Sequence, residues 1–63
     1  MKRRELLDIR DAAAYISRDV YFIRRLVARE ALPVYRVGRL LRFDAADLDR
    51  LLDAAKVEAK WAP

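Results

Sequence analysis

Three aspartates, Asp8, Asp19 and Asp44, each stand just before a run whose apolar residues recur at helical spacing. An aspartate there accepts hydrogen bonds from the free amides of a helix's first turn and faces the positive end of its dipole. The chain is therefore expected to start three helices. The first is predicted over 9–16, with Ile9, Ala12, Ala13 and Ile16 on one face at i, i+3, i+4, i+7 and Asp11 returning the capping contact. The second is predicted over 20–30, with Val20, Ile23, Leu26 and Val27 turned inward. Only Ser17-Arg18 separates these two, and the small Ala12-Ala13-Ala14 run lets another helix approach closely. The third begins after Asp44, with Asp47 at the capping-box position and Leu48, Leu51, Leu52 and Ala55 inward. Asp49, Arg50 and Asp53 then face water, and residues 56–63 either extend the helix or fray from it.

The interval between the second and third caps cannot continue as helix. Pro33 lacks an amide hydrogen and pushes Leu32 toward extended geometry. Val34-Tyr35-Arg36-Val37 and Leu40-Leu41-Arg42-Phe43 are β-prone runs separated by Gly38-Arg39, the pattern of a hairpin. Counting alternation along each run puts Tyr35, Val37, Leu41 and Phe43 on one face. Arg36 and Arg42 fall on the other, with Arg39 at the tip.

Charge follows the same division. The net charge of +4 hides a block over 18–43 with seven arginines (18, 24, 25, 29, 36, 39 and 42) against Asp19 and Glu30, net +5. Residues 44–53 carry four aspartates and Arg50, net −3. A guanidinium fork fits phosphates and guanine edges better than a lysine point charge. A basic helix and hairpin backed by an acidic helix suit a polyanionic partner, nucleic acid first.

Composition removes other classes. With no cysteine and no histidine there is no disulfide, no thiolate or imidazole metal ligand and no histidine base. One glycine excludes a glycine-rich phosphate loop. An enzyme is not expected, and neither is a metal or other cofactor; Asp44 and Asp47 are better explained as a cap. No apolar run approaches the roughly 18 residues of a membrane span. Met1-Lys2-Arg3-Arg4 is followed by Glu5 and Asp8 rather than by an apolar signal core.

The order helix, short turn, helix, hairpin, helix is that of a small α+β winged helix-turn-helix, expected as one domain over 1–63 with its core at about 6–55. In that arrangement Arg24 and Arg25 on the exposed face of the second helix are the first candidates for DNA contact. Arg18, before the cap, is a candidate phosphate contact. Tyr21 and Phe22 either touch bases or pack on the wing. Arg36, Arg39 and Arg42 are candidate wing contacts to backbone or minor groove. Arg29 pairs either with an acid or with phosphate. Lys2, Arg3 and Arg4 form either a basic arm or, by default, a disordered terminus. Tyr15 is expected in the core or at its edge rather than in a site, and Trp61 folded back on the core.

The residues also carry a resemblance. Leu6-Leu7-Asp8-Ile9-Arg10-Asp11-Ala12-Ala13-Ala14-Tyr15-Ile16, Leu32-Pro33, Tyr35-Arg36-Val37-Gly38-Arg39, Leu41-Arg42-Phe43 and Asp47-Leu48, in that spacing and without gaps, resemble the excisionase-type winged-helix family. The resemblance implies a DNA-binding module with its second helix in the major groove and its wing at the backbone or minor groove. It further implies an excisionase that binds several sites, bends DNA and assists an integrase. The small contact area of one such module adds neighbouring copies of itself on DNA, and the cysteine-free composition suits the cytoplasm, here at the nucleoid of a bacterial host. A small transcription regulator is the alternative within DNA binding; a protein-interaction adaptor using the acidic helix or Trp61 is the alternative outside it. The chain departs from the family where Ser17 and Glu30 stand at common glycine positions, Asp19 at a hydroxyl cap, and Tyr21-Phe22 at polar or basic positions. With Glu30 in place of glycine, the second helix is expected to end through Pro33.

Overall fold

A computed structural model describes residues 4–57, so Lys2, Arg3 and Trp61 lie outside the described residues. Arg4, expected in a disordered terminus, stands with its guanidinium over the Tyr35 ring at 5.5 Å. The elements run β1 (Leu6–Leu7), α1 (Ile9–Tyr15), α2 (Val20–Ala28), β2 (Tyr35–Val37), β3 (Leu40–Asp44) and α3 (Ala45–Ala55). Three helices and an antiparallel sheet of order β1-β3-β2 make the α+β winged helix-turn-helix architecture.

All three aspartate caps form. Asp8 accepts from the Asp11 amide at 2.8 Å, Asp19 from Phe22 at 2.8 Å, and Asp44 from Ala46 at 2.9 Å. Asp47, expected to return the capping contact, is instead taken by Arg50 one turn on.

The helix ends follow one rule that corrects the expected boundary of α2. Both α1 and α2 close in a Schellman motif, in which the two residues after the cap bond back to the last turn. After α1 the Ser17 and Arg18 amides donate to the Ala14 and Ala13 carbonyls; after α2 the Glu30 and Ala31 amides donate to Val27 and Leu26. Such a closure needs a left-handed residue, and Ser17 (φ +60°) and Glu30 (φ +58°) adopt that conformation. So α2 stops at Ala28 through this turn, not through Pro33, and glutamate holds the position a glycine would favour.

The sheet differs from expectation in two ways. Leu6 and Leu7 form a third strand, paired with Asp44 and Phe43. Two residues are too short for alternation to reveal a strand in sequence. The hairpin register also corrects the face assignment. Its two-residue turn makes Val37 and Leu40 direct partners, followed by Arg36 with Leu41 and Tyr35 with Arg42. Direct partners share a face, so Tyr35 and Val37 lie with Leu40 and Arg42 on the outer face. Arg36 lies on the side of Leu41 and Phe43. Gly38 (φ +64°) supplies the turn's left-handed residue.

Phe43, Ile23 and Leu48 are the large side chains at 0% exposure, one each from β3, α2 and α3. Ala12, Ala13 and Ile16 of α1 and Leu32 from the loop complete the buried cluster. The small α1 side chains allow the close approach their sequence predicts. On α3 only Leu48 and Leu51 of the predicted stripe are covered; Leu52 and Ala55 are exposed. Of the two places expected for Tyr15, core or edge, it takes the edge, its hydroxyl donating to the Asp49 carboxylate at 2.7 Å and tying α1 to α3.

Left-handed non-glycine residues cost roughly 1–2 kcal/mol, so Ser17→Gly and Glu30→Gly are each expected to stabilise the fold by about 1 kcal/mol. A urea titration checks this as a higher midpoint at unchanged slope; no rise in midpoint contradicts the assignment.

The bond from Tyr15 to Asp49 favours the neutral phenol and raises its pKa above the ordinary value of 10.0. The bond's contribution is therefore complete below that ordinary value and lost as pH rises through the raised one. Ultraviolet titration should find one tyrosine ionising late, and Asp49→Asn should remove most of its delay.

Candidate nucleic-acid interface

The turn between α1 and α2 sets α2 across α1 with Ile23 inward, which leaves the other side of α2 open. Tyr21 occupies the middle of that open side at 73% exposure. Arg24, Arg25 and Ala28 are exposed around it. Phe22 lies on the flank toward α3, half-buried and packed against the core. The Arg18 guanidinium stacks over its ring at 3.8 Å, and Arg25 approaches it at 6.0 Å. Arg18, Phe22 and Arg25 thus form one cation–aromatic group, with Phe22 as its apolar base. Tyr21 and Phe22 are neighbours in sequence but face different surroundings, and neither lies against the wing.

Arg24 belongs to the opposite flank. It lines a cleft of about 450 Å³ together with Arg10 at the start of α1 and Arg39 and Arg42 of the wing. Ile9 and Leu41 supply its apolar lining together with the exposed Leu40, and Asp8 is the acid among the lining residues. Asp8 is already engaged as the α1 cap. Four arginines from three elements therefore converge on one surface to which α3 contributes nothing. Arg42 is half-buried and donates to the Leu41 carbonyl at 2.8 Å. That bond holds its side chain along β3.

The fold brings together some predicted site residues and separates others. Arg24, Arg39 and Arg42 meet in the cleft, and Arg18 and Arg25 meet over Phe22. Arg36 is exposed on the opposite face of the hairpin from Arg42, because the register separates them. Arg10 is the addition. In sequence it sits beside Asp8 and Asp11 in a near-neutral stretch, and only the packing of α1 against the hairpin carries it to the cleft. Its one sequence signal is an exposed place in the first turn of a helix.

Among the described residues the one ion pair is Arg50 with Asp47, on α3. None of the arginines at 18, 24, 25, 29, 36, 39 and 42 is neutralised by a described acid. Arg29, for which pairing with an acid was an expected alternative, makes no such pair.

A scan against protein families matches a helix-turn-helix domain over residues 6–56. The chain belongs to the helix-turn-helix domain family. The match spans β1 through the end of α3, including the α1–turn–α2 unit that presents Arg24 and Arg25. This is a DNA-binding domain family. Searches of curated proteins and of solved structures found no match. For this helix-turn-helix domain the open side of α2 and the arginine cleft are the surfaces to test against duplex DNA.

Removing one arginine–phosphate pair should lower the slope of log affinity against log salt by about 0.9. Arg10→Ala and Arg24→Ala are each expected to show that decrease in fluorescence anisotropy on duplex DNA, while Arg50→Ala on α3 leaves the slope unchanged. A normal slope for Arg10→Ala would remove that residue from the interface.

Proposed function

We propose that this chain is a non-catalytic, sequence-preferring DNA-binding protein that sets α2 in the major groove and its wing at the backbone or minor groove. The observation that carries the reading is Arg24. It stands on the open side of α2 and also lines the cleft shared with Arg10, Arg39 and Arg42. A duplex seated on α2 would bring its backbone to that cleft. Arg18, stacked on Phe22, would meet the backbone on the other flank, and Tyr21 with Arg25 would face base edges between them. Tyrosine offers one hydroxyl and an apolar ring, so Arg25 carries the bidentate readout, worth about 1–3 kcal/mol for a good pair, while Arg24 meets the backbone at the cleft.

Its role, in this reading, is that of an excisionase, a DNA-bending factor that sets the direction of an integrase at the nucleoid of a bacterial host. The support is the resemblance over residues 6–55. A module of this kind buries roughly 600–1,000 Å² on DNA, too little for tight specific binding alone. Neighbouring copies on phased sites raise the effective concentration of each other's contacts.

Duplexes with one, two and three copies of a selected site are expected to bind with rising affinity per site in gel-shift titrations. Independent, equal binding at each site would reject the array. Arg24→Ala with Arg25→Ala should abolish binding while the thermal melt stays cooperative; unchanged affinity would reject DNA binding through α2 altogether. An integrase recombination assay supplies the last check, with excision rising on addition of the protein and integration falling.

A further inference from the structure

The outer face of the hairpin carries two apolar side chains that the other described residues leave largely exposed. Val37 and Leu40, the cross-strand pair that closes the turn, are 55% and 56% exposed and lie outside the buried cluster. Solvent-exposed hairpin ends are ordinarily polar, and a charged pair there would serve the hairpin equally well. The pair is ringed by cation. Arg39 follows Gly38 in the turn itself and Arg42 is next along β3 on the same face, while Arg36, beside Val37 in β2, projects from the opposite face. The hairpin end is thus an apolar tip in a positively charged collar, and none of these arginines is neutralised by a described acid.

Charge complementarity selects the occupant. An apolar protein surface would leave three guanidinium groups without counter-charge, and a lipid surface or acidic protein would not require so narrow a projection. The minor groove of duplex DNA offers phosphate on both rims and, between them, the apolar sugar walls and stacked base edges. Resting on the DNA-binding reading above, we propose that Val37 and Leu40 form an apolar wedge that enters the minor groove. Leu40 presses against a base step, while Arg39 and Arg42 on its own face and Arg36 on the other face meet the flanking phosphates. A branched side chain driven against a step unstacks it and bends the duplex toward the major groove at that step, away from the hairpin. The wedge thereby supplies a contact that is driven by desolvation and does not release counterions. Its contribution is independent of salt, unlike that of every arginine around it.

The test uses a doubly end-labelled, A·T-rich duplex of about 20 base pairs, followed by anisotropy for affinity and by energy transfer for bending. Val37→Thr with Leu40→Thr keeps strand-compatible side chains, and circular dichroism verifies the fold. This variant is expected to lose about tenfold in affinity and most of the bend, with the salt slope unchanged. Arg39→Ala should instead lower the slope by about 0.9. Leu40→Lys separates the wedge from simple charge, because added charge alone would tighten binding and keep the bend, whereas loss of the wedge reduces the bend. Unaltered bend and affinity in the double variant would overturn the proposal, and so would single-site binding that is unchanged while cooperativity between sites falls, which would make the pair a contact between copies. If Arg24→Ala and Arg39→Ala also leave binding intact, the DNA-binding reading fails as well. If they weaken it and the threonine variant does not, only the wedge fails.

Discussion

Phe43 is the point through which the two halves of this small fold are joined. It lies in β3, the central strand, with β1 on one side and β2 on the other, and its ring is fully buried. Ile23 brings α2 to the same cluster and Leu48 brings α3, while Ala12 and Ala13 let α1 lie close. A chain of 63 residues buries little surface in total. The arginine-bearing helix and hairpin are therefore held relative to each other by very few side chains. Removing a buried phenylalanine costs roughly 3–5 kcal/mol, a large share of the stability available to a domain of this size. The positions of Arg24 on α2 and of Arg39 and Arg42 on the wing are both inherited from this one packing point.

The unneutralised arginines follow from how the chain segregates its charge. Four aspartates of residues 44–53 go to the third cap and α3, where Asp44 caps, Asp47 holds Arg50 and Asp49 receives Tyr15. Asp8 and Asp19 are engaged at helix starts. The acids thus act mainly as local structural groups, and the basic block over 18–43 is left with its charge facing solvent. Mutual repulsion among those arginines works against the compact state. A polyanion that binds the folded form offsets that repulsion by mass action.

Much of this was legible in sequence because it rests on local rules. The three caps are single aspartates before periodic apolar runs, and each makes the bond its position implies. The hairpin is marked by Gly38 between two β-prone runs. What was not legible depended on relations between segments. Leu6 and Leu7 become a strand only because β3 is there to pair with them, and Arg10 reaches the cleft only because α1 packs beside the hairpin. The end of α2 departs from expectation for a different reason. Glutamate is a poor left-handed residue, and nothing local announces that the Schellman bonds to Val27 and Leu26 outweigh its strain.

The hairpin faces show how much turns on one residue of parity. Alternation holds along each run, yet Val37 and Leu40 face each other across a two-residue turn, so the faces of the two strands are offset from a simple count. Had Val37 and Tyr35 joined Phe43 inside, Arg36 and Arg42 would have formed a plain basic edge and the hairpin would have an apolar underside only. With the observed register, the core takes Leu41 and Phe43 from β3 alone, and β2 contributes almost nothing to it. The tip of the hairpin is then freed from packing duties. The buried core gives Val37 and Leu40 no reason to be apolar, and a surface that takes them up would supply one.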